Sequence, residues 1–403
     1  MTADDEGVVP ATTIAGIALA SALVPLNSTM IAVALPHIAR DFDISKGRAT
    51  VLITLYLVAM LVGQPLAGRL CDLLGARRLA TIAAAGFGLF SAAAMVAGSF
   101  WLLVALRGLQ AAFASALVPA VQAMLRQVIP ARQRGRAFGL QGSVLGVGAG
   151  LGPVIGGIAT AVFGWRAIFG VNLPVVLAVL YVLQRRVAPS TLSSEHHGDV
   201  VHDEPERLSL TGAFGAAFST QALSTLAQYA LLLAVPIVLD HRGWSAASVG
   251  LALSFLTVGM VVTGPYGGRL GDAHGRRRPV VLGLALTILA VAMSAVGGDH
   301  VPSALLVVTL LLFGIGLGVA TPSVMTAGIE AAPLARVGSA AGLLSASRYV
   351  GSIASTVVLA GVVHDDGSGL ATLLVVCAAS LVLALVVARR LPGPLVGTPE
   401  LVP

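Results

Sequence analysis

Along this chain, apolar runs of membrane-crossing length alternate with short polar breaks rich in glycine and arginine. A bilayer core takes about 20 apolar residues per helix. Twelve runs meet that length, at about 11–36, 49–67, 79–98, 101–125, 137–163, 166–184, 209–238, 246–267, 279–297, 301–327, 338–363 and 368–388. The fifth and eleventh are long and glycine-rich, which predicts tilt or kinking. One polar interruption is much longer than the others: RRVAPSTLSSEHHGDVVHDEPERLS, between the sixth and seventh runs, predicts a flexible linker. The pattern therefore predicts an all-α membrane protein of twelve transmembrane helices, divided into 1–186, a linker over 187–208, and 209–403.

Of 403 residues, 57% are apolar and 10% charged, where a soluble protein carries roughly 25% charged residues. That excludes a one-domain soluble enzyme, a disordered tail protein and a coiled coil. Cys71 and Cys377 are too few for a disulfide framework. No ligand cluster supports zinc chemistry, so no metal or cofactor is expected. His196, His197 and His202 fall in the linker; a solvated linker explains them, with metal binding as the alternative. The opening MTADDEG is acidic and lacks the positive region of a cleavable signal, so the first apolar run is expected to stay as a membrane helix.

The net charge of +6 suggests nucleic acid, but the placement of the cations gives a simpler account. Twelve spans put both termini on one side of the membrane. The breaks on that side hold 17 arginines, among them Arg69, Arg77, Arg78, Arg132, Arg276 and Arg336. The opposite breaks hold five cations: Arg40, Lys46, Arg48, Arg166 and Arg242. By the positive-inside rule both termini and the linker are cytoplasmic, and no nucleic-acid partner is needed.

The chain repeats itself. After the second run it reads Gly68-Arg-Leu-Cys-Asp72-Leu-Leu-Gly75-Ala-Arg77-Arg78, and after the eighth Gly268-Arg-Leu-Gly-Asp272-Ala-His-Gly275-Arg-Arg277-Arg278. Seven of eleven residues match at an offset of 200. Pro119 with Pro322, Pro130 with Pro333, Gly135 with Gly338, and Gly139 with Gly342 continue the match at 203. A six-span unit has been duplicated in the same orientation. Parallel repeats are one plan of secondary transporters, whose substrate site lies near midplane between the repeats.

Several segments then resemble the motifs of the major facilitator superfamily, in particular of bacterial drug:proton antiporters. They are Gly68 to Arg78 after span two, Arg107-Gly-Leu-Gln110 in span four, and Gly152-Pro153-Val-Ile-Gly156-Gly157 in span five. Leu26 to Pro36 in span one and Trp165 to Pro174 leading into span six resemble motifs of the fourteen-span exporters. Two departures stand out: this chain has twelve spans, and Asn27 occupies a place where those exporters usually carry aspartate. The resemblance implies two pseudo-symmetric six-helix bundles of the major facilitator fold. It also implies a monomer in the bacterial cytoplasmic membrane, with a small-molecule substrate and protons as coupling ion. One lysine against 23 arginines in an Ala-, Gly- and Val-rich chain fits a high-GC bacterium.

By the same resemblance, Gly68, Asp72, Gly75, Arg77, Arg78 and the matching Asp272 latch the cytoplasmic gate. Positive charges that set topology are the alternative reading. Gly148, Gly152 and Gly156 recur at four-residue spacing, which lets helices pack closely in lipid, and Pro153 permits a bend. By resemblance, that bend seals the pathway against leak.

Ionisable groups inside a membrane are costly and are functional candidates by default. Arg107 lies about 9 Å into span four and Arg348 about 15 Å into span eleven, at 1.5 Å per residue. Their repeat positions are Leu310 and Leu145, so the duplication left these charges asymmetric. The alternative is an arginine satisfied by backbone carbonyls and waters. None of the eighteen acids lies mid-span, which is awkward for proton coupling. Two hypotheses follow: coupling uses Asp72, Glu330 or His37, or the arginines lack acids because the substrate is an anion. Gln221, Thr225 and Gln228 recur on one face of span seven. With Asn27, Gln110 and Tyr349 they are candidates for lining a substrate site, or for hydrogen bonds between helices.

The leading expectation is a secondary active exporter of amphipathic small molecules or antibiotics, coupled to protons and not an enzyme. A dedicated exporter or exchanger of one anionic metabolite is the second. A non-transporting membrane receptor or scaffold is the third.

Overall fold

A computed structural model describes residues 10–185, 212–362 and 369–393. The 187–208 linker, with His196, His197 and His202, lies outside the described residues. Twelve described helices are long and apolar enough to cross a membrane, one for each apolar run. In chain order they are α1 (Ala11–Asp41), α3 (Val51–Leu74), α4 (Ala76–Met95), α5 (Phe100–Val128), α6 (Arg134–Phe163), α8 (Asn172–Arg185), α9 (Ala213–His241), α10 (Ala246–His274), α11 (Arg277–Val296), α12 (Ser303–Glu330), α13 (Val337–Val362) and α14 (Leu370–Ala388). Two single-turn helices, α2 (Lys46–Ala49) and α7 (Ala167–Gly170), fill breaks.

Some boundaries differ from those read in the sequence. The stretch after span two, read as a break from residue 68, stays helical to Leu74, and its copy stays helical to His274. Each chain turn falls on the glycine that follows, Gly75 at φ +82° and Gly275 at φ +80°, a conformation glycine adopts without steric penalty. The earlier glycines, Gly68 and Gly268, are not turn residues; they thin a helix where another crosses it. α1 likewise runs through Pro36 to Asp41. In a membrane bundle, neighbouring groups re-satisfy a backbone freed by proline.

The chain forms two compact units. The first takes the described parts of Met1–Ile129, Ser143–Leu208 and Ala332–Tyr349; the second takes those of Pro130–Gly142, Ser209–Ala331 and Val350–Pro403. Each unit thus includes a helix start from the other half of the sequence. Inside the first, α5 packs on α3 and α4, and α8 on α1 and α4. Inside the second, α12 packs on α10 and α11, and α14 on α9 and α11. The sequence repeat is therefore also a packing repeat. At one end of the first unit Phe42, Phe100, Trp101, Trp165 and Phe169 form an aromatic cluster. Asp41 joins it by accepting from the Trp165 indole at 3.1 Å and from Arg166 at 2.8 Å.

Candidate functional site

The repeated segment builds the same clasp twice. In the first unit the last turns of α3 bring the Asp72 carboxylate to the N-terminus of α13. Asp72 Oδ1 accepts the Gly338 amide at 2.6 Å, and Oδ2 accepts the Ser339 amide at 2.9 Å and the Ser339 hydroxyl at 2.5 Å. A carboxylate there satisfies amides that the helix leaves unpaired and meets the positive end of its dipole. The approach depends on glycine: a Cβ on Gly68 or on Gly338 would overlap the other's carbonyl oxygen. Close by, both terminal nitrogens of buried Arg126 donate to the Ala332 carbonyl, at 3.0 and 2.9 Å.

In the second unit Asp272 meets the start of α6. It accepts the Gly135 amide at 2.7 Å and the Arg136 amide at 2.8 Å, and Gly268 and Gly135 make the matching close crossing. Here charges are added. Arg276 donates to Asp272 Oδ1 at 2.6 Å, to Glu330 at 3.2 and 3.1 Å, and to the Ala131 carbonyl at 3.1 Å. Arg134 pairs with Glu330 at 3.5 Å. Burial works against the Arg276 charge, but bonds to Glu330 and Asp272 outweigh it and hold the guanidinium above its usual pKa.

The remaining motif residues have separate duties. Arg77 donates to the carbonyls of Leu183 and Gln184, at 3.0 and 3.3 Å, and so caps the C-terminus of α8. Arg78 is exposed. α6 stays helical through Pro153. Its glycines lie against α1: a Cβ on Gly152 would overlap the Thr29 hydroxyl, and one on Gly156 would press on Met30 at 2.9 Å.

A polar network occupies the core of the first unit. Arg107, Gln110, Ser91, Asn172 and Asn27 are all fully buried. Arg107 Nη1 donates to Gln110 Oε1 at 2.6 Å, and Gln110 Nε2 donates to Ser91 Oγ at 2.6 Å. Asn172 Nδ2 reaches Ser91 at 3.4 Å and Asn27 Oδ1 at 3.5 Å. The Arg107 guanidinium lies over the Tyr56 ring at 4.3 Å, and the Tyr56 hydroxyl donates to the Val24 carbonyl at 3.0 Å. Arg107 has no carboxylate at pairing distance among the described residues.

Of the other sequence candidates, Tyr349 acts electrostatically on Tyr56 of this network, while the span-seven residues make their contacts elsewhere. Gln221 donates to Thr225 at 3.2 Å along α9, Gly351 of α13 packs on Thr225, and Gln228 points to Met260 Sδ at 3.5 Å. The stripe thus divides between contacts to α13 and α10. Arg348 and Tyr349 are half-buried on α13. Sequence reasoning passed over Tyr56 and Ser91 altogether, counted Arg126 only among the cytoplasmic-side arginines, and quoted Asn172 only as part of a motif. A lone tyrosine inside an apolar run was the available signal for Tyr56; Ser91 offered none. Among the described residues no cluster of three His, Cys, Asp or Glu could hold a metal ion.

The sequence matches the Major Facilitator Superfamily over residues 17–221 and 217–402. YvkA of Bacillus subtilis (strain 168), an uncharacterized MFS-type transporter, is 28% identical, over 86% of this chain and 89% of its own length. The tetracenomycin C resistance and export protein of Streptomyces glaucescens is 27% identical, over 87% of this chain and 75% of its own. Among solved structures, the MFS transporter FucP in its outward conformation has a TM-score of 0.75 at 16% identity, over 95% of this chain and 98% of that one. That likeness is one of fold.

Proposed function

The chain belongs to the major facilitator superfamily and is a multi-pass membrane transporter; from that premise we propose that it exports amphipathic small molecules by alternating access, in exchange for protons. The observation that carries this reading is the pair of clasps. Each ties a helix start with side chain-to-amide hydrogen bonds, which can be broken and remade without unfolding a core, as a cytoplasmic latch requires. The relative named for tetracenomycin C resistance and export supports the direction of transport and the kind of substrate, as does the glycine-rich span five.

The proton step is assigned to Asp72. The network around Arg107 holds amides, a hydroxyl and a phenol but no acid. Asp272 and Glu330 are in ion pairs, and His37 is exposed. The bonds to Asp72 come from two amides and a hydroxyl and Arg336 acts on it only through space, so among the described residues a proton can bind there without breaking a contact ion pair. Its arrival would release the amides of Gly338 and Ser339 and loosen the first clasp.

The test is transport in proteoliposomes with an imposed pH gradient, against a panel of cationic, neutral and anionic compounds. The expected result is uphill movement of amphipathic cations or neutral compounds, abolished by a protonophore and by Asp72→Asn. Exchange that ignores the gradient would remove the proton step. Selective movement of anions would instead promote export of an anionic metabolite, the reading favoured by the unpaired Arg107.

A further inference from the structure

Arg107 presents a buried positive charge with one edge unused. Nη1 is taken by Gln110, but Nε and Nη2 have no hydrogen-bond partner among the described residues. These two nitrogens form the side-on fork of a guanidinium, with parallel N–H bonds that suit a single anionic acceptor. Within the same network Asn27 Nδ2 is also an unpaired, fully buried donor. Arginine does not shed its proton in proteins, and an ion buried without an opposite charge is strongly disfavoured. The Tyr56 ring offers the cation a quadrupole, not a counter-charge.

We propose that the core of the first unit is a site for a small monovalent anion, bound on the Nε–Nη2 edge of Arg107, which supplies the negative charge that an amide at position 27 does not. The chemistry required is a compact acceptor with one negative charge, so a halide and a carboxylate group of a transported compound both qualify. Asn172 Oδ1, an acceptor left without a partner, suits a water that donates to it beside the ion. The network joins Asn27 to Arg107 through Asn172, Ser91 and Gln110, so a carboxylate at position 27 would stand in the same hydrogen-bonded cluster and make the anion dispensable.

The experiment is thermal unfolding of the purified full-length protein at constant ionic strength, with isethionate replaced stepwise by chloride, bromide or acetate. A bound ion stabilises the folded state by mass action, so the midpoint is expected to rise and saturate with a small anion. Arg107→Gln is expected to lose that response. Asn27→Asp should be as stable without chloride as the wild type with it, and should no longer respond. A rise with acetate but not with halides keeps the site and assigns its occupant to a carboxylate. A wild-type midpoint indifferent to anion identity, or an Asn27→Asp variant with an unchanged response, would overturn the proposal in favour of water alone. The readout needs no transport, so it fails independently of the exporter reading.

Discussion

At the start of α13, Asp72 holds two amides and a serine hydroxyl; at the start of α6, Asp272 holds two amides and a guanidinium. The glycine crossings and the positive-φ turns are common to both. The differences are in side-chain charge. Four residues beyond each aspartate stand Ala76 and Arg276, and at the repeat positions 127 and 330 stand a glutamine and a glutamate. In both clasps an arginine grips a carbonyl just ahead of the clasped helix, but Arg126 and Arg276 come from unrelated repeat positions. The backbone geometry, which only glycine and a short carboxylate can supply, survived duplication. The charges around it were free to diverge, and they left one clasp cross-braced by ion pairs and the other held by neutral donors.

The strongest way to break this comparison is to remove each carboxylate. Asp272→Asn strips a partner from a buried ion pair, a loss of about 3–5 kcal/mol in such settings. Asp72→Asn weakens the same kind of two amide bonds that Asp272→Asn also weakens, and beyond them only the bond from the Ser339 hydroxyl, about 1.5–3 kcal/mol for a bond to a charged group. Thermal midpoints of the purified variants should therefore fall further for Asp272→Asn; equal falls would mean that the ion pairs contribute nothing. The next largest effect comes from Gly68→Ala and Gly268→Ala. Both put a methyl into a backbone crossing, at about 1–3 kcal/mol for overpacking. Because the crossing is shared, the two should lose similar stability and both should lose transport. A harmless alanine at either site would show that the crossing has slack.

The reach of the sequence follows from the kind of contact involved. Long apolar runs fix helices locally, so all twelve were legible. The ends of α3 and α10 were not, because glycines that serve a helix crossing read like glycines that make a turn. Arg107 was visible as a charge inside a span, but its partners were not: Ser91 is 19 positions from Gln110 and Asn172 is 81 from Ser91. The partner of Asp72 lies 266 positions away, and the sequence hinted at it only by repeating Gly135 as Gly338. The face shared by Gln221, Thr225 and Gln228 was readable from spacing, but the residues opposite it depend on tertiary packing.

The finest test concerns the hydroxyl that stands in the first clasp where the second has a guanidinium. Ser339→Ala leaves both amides on Asp72 and removes one hydroxyl-to-carboxylate hydrogen bond, about 1.5 kcal/mol, the low end for bonds to a charged group because the carboxylate keeps its two amides. Such a change is small against the whole protein but direct for the clasp, and a local reporter is at hand. Cys71 is buried beside Asp72 and lies against Gly338. In a Cys377→Ala background it is the chain's single thiol, and maleimide can reach it only when the clasp opens. If opening is fast relative to labelling, the rate follows the population of the open state, and about 1.5 kcal/mol becomes an acceleration on the order of tenfold. Glu330→Gln, which acts on the other clasp, should leave the Cys71 rate unchanged. A Ser339→Ala rate equal to that of the parent would mean that the hydroxyl does not hold Asp72. The two clasps would then differ only by the ion pairs of the second.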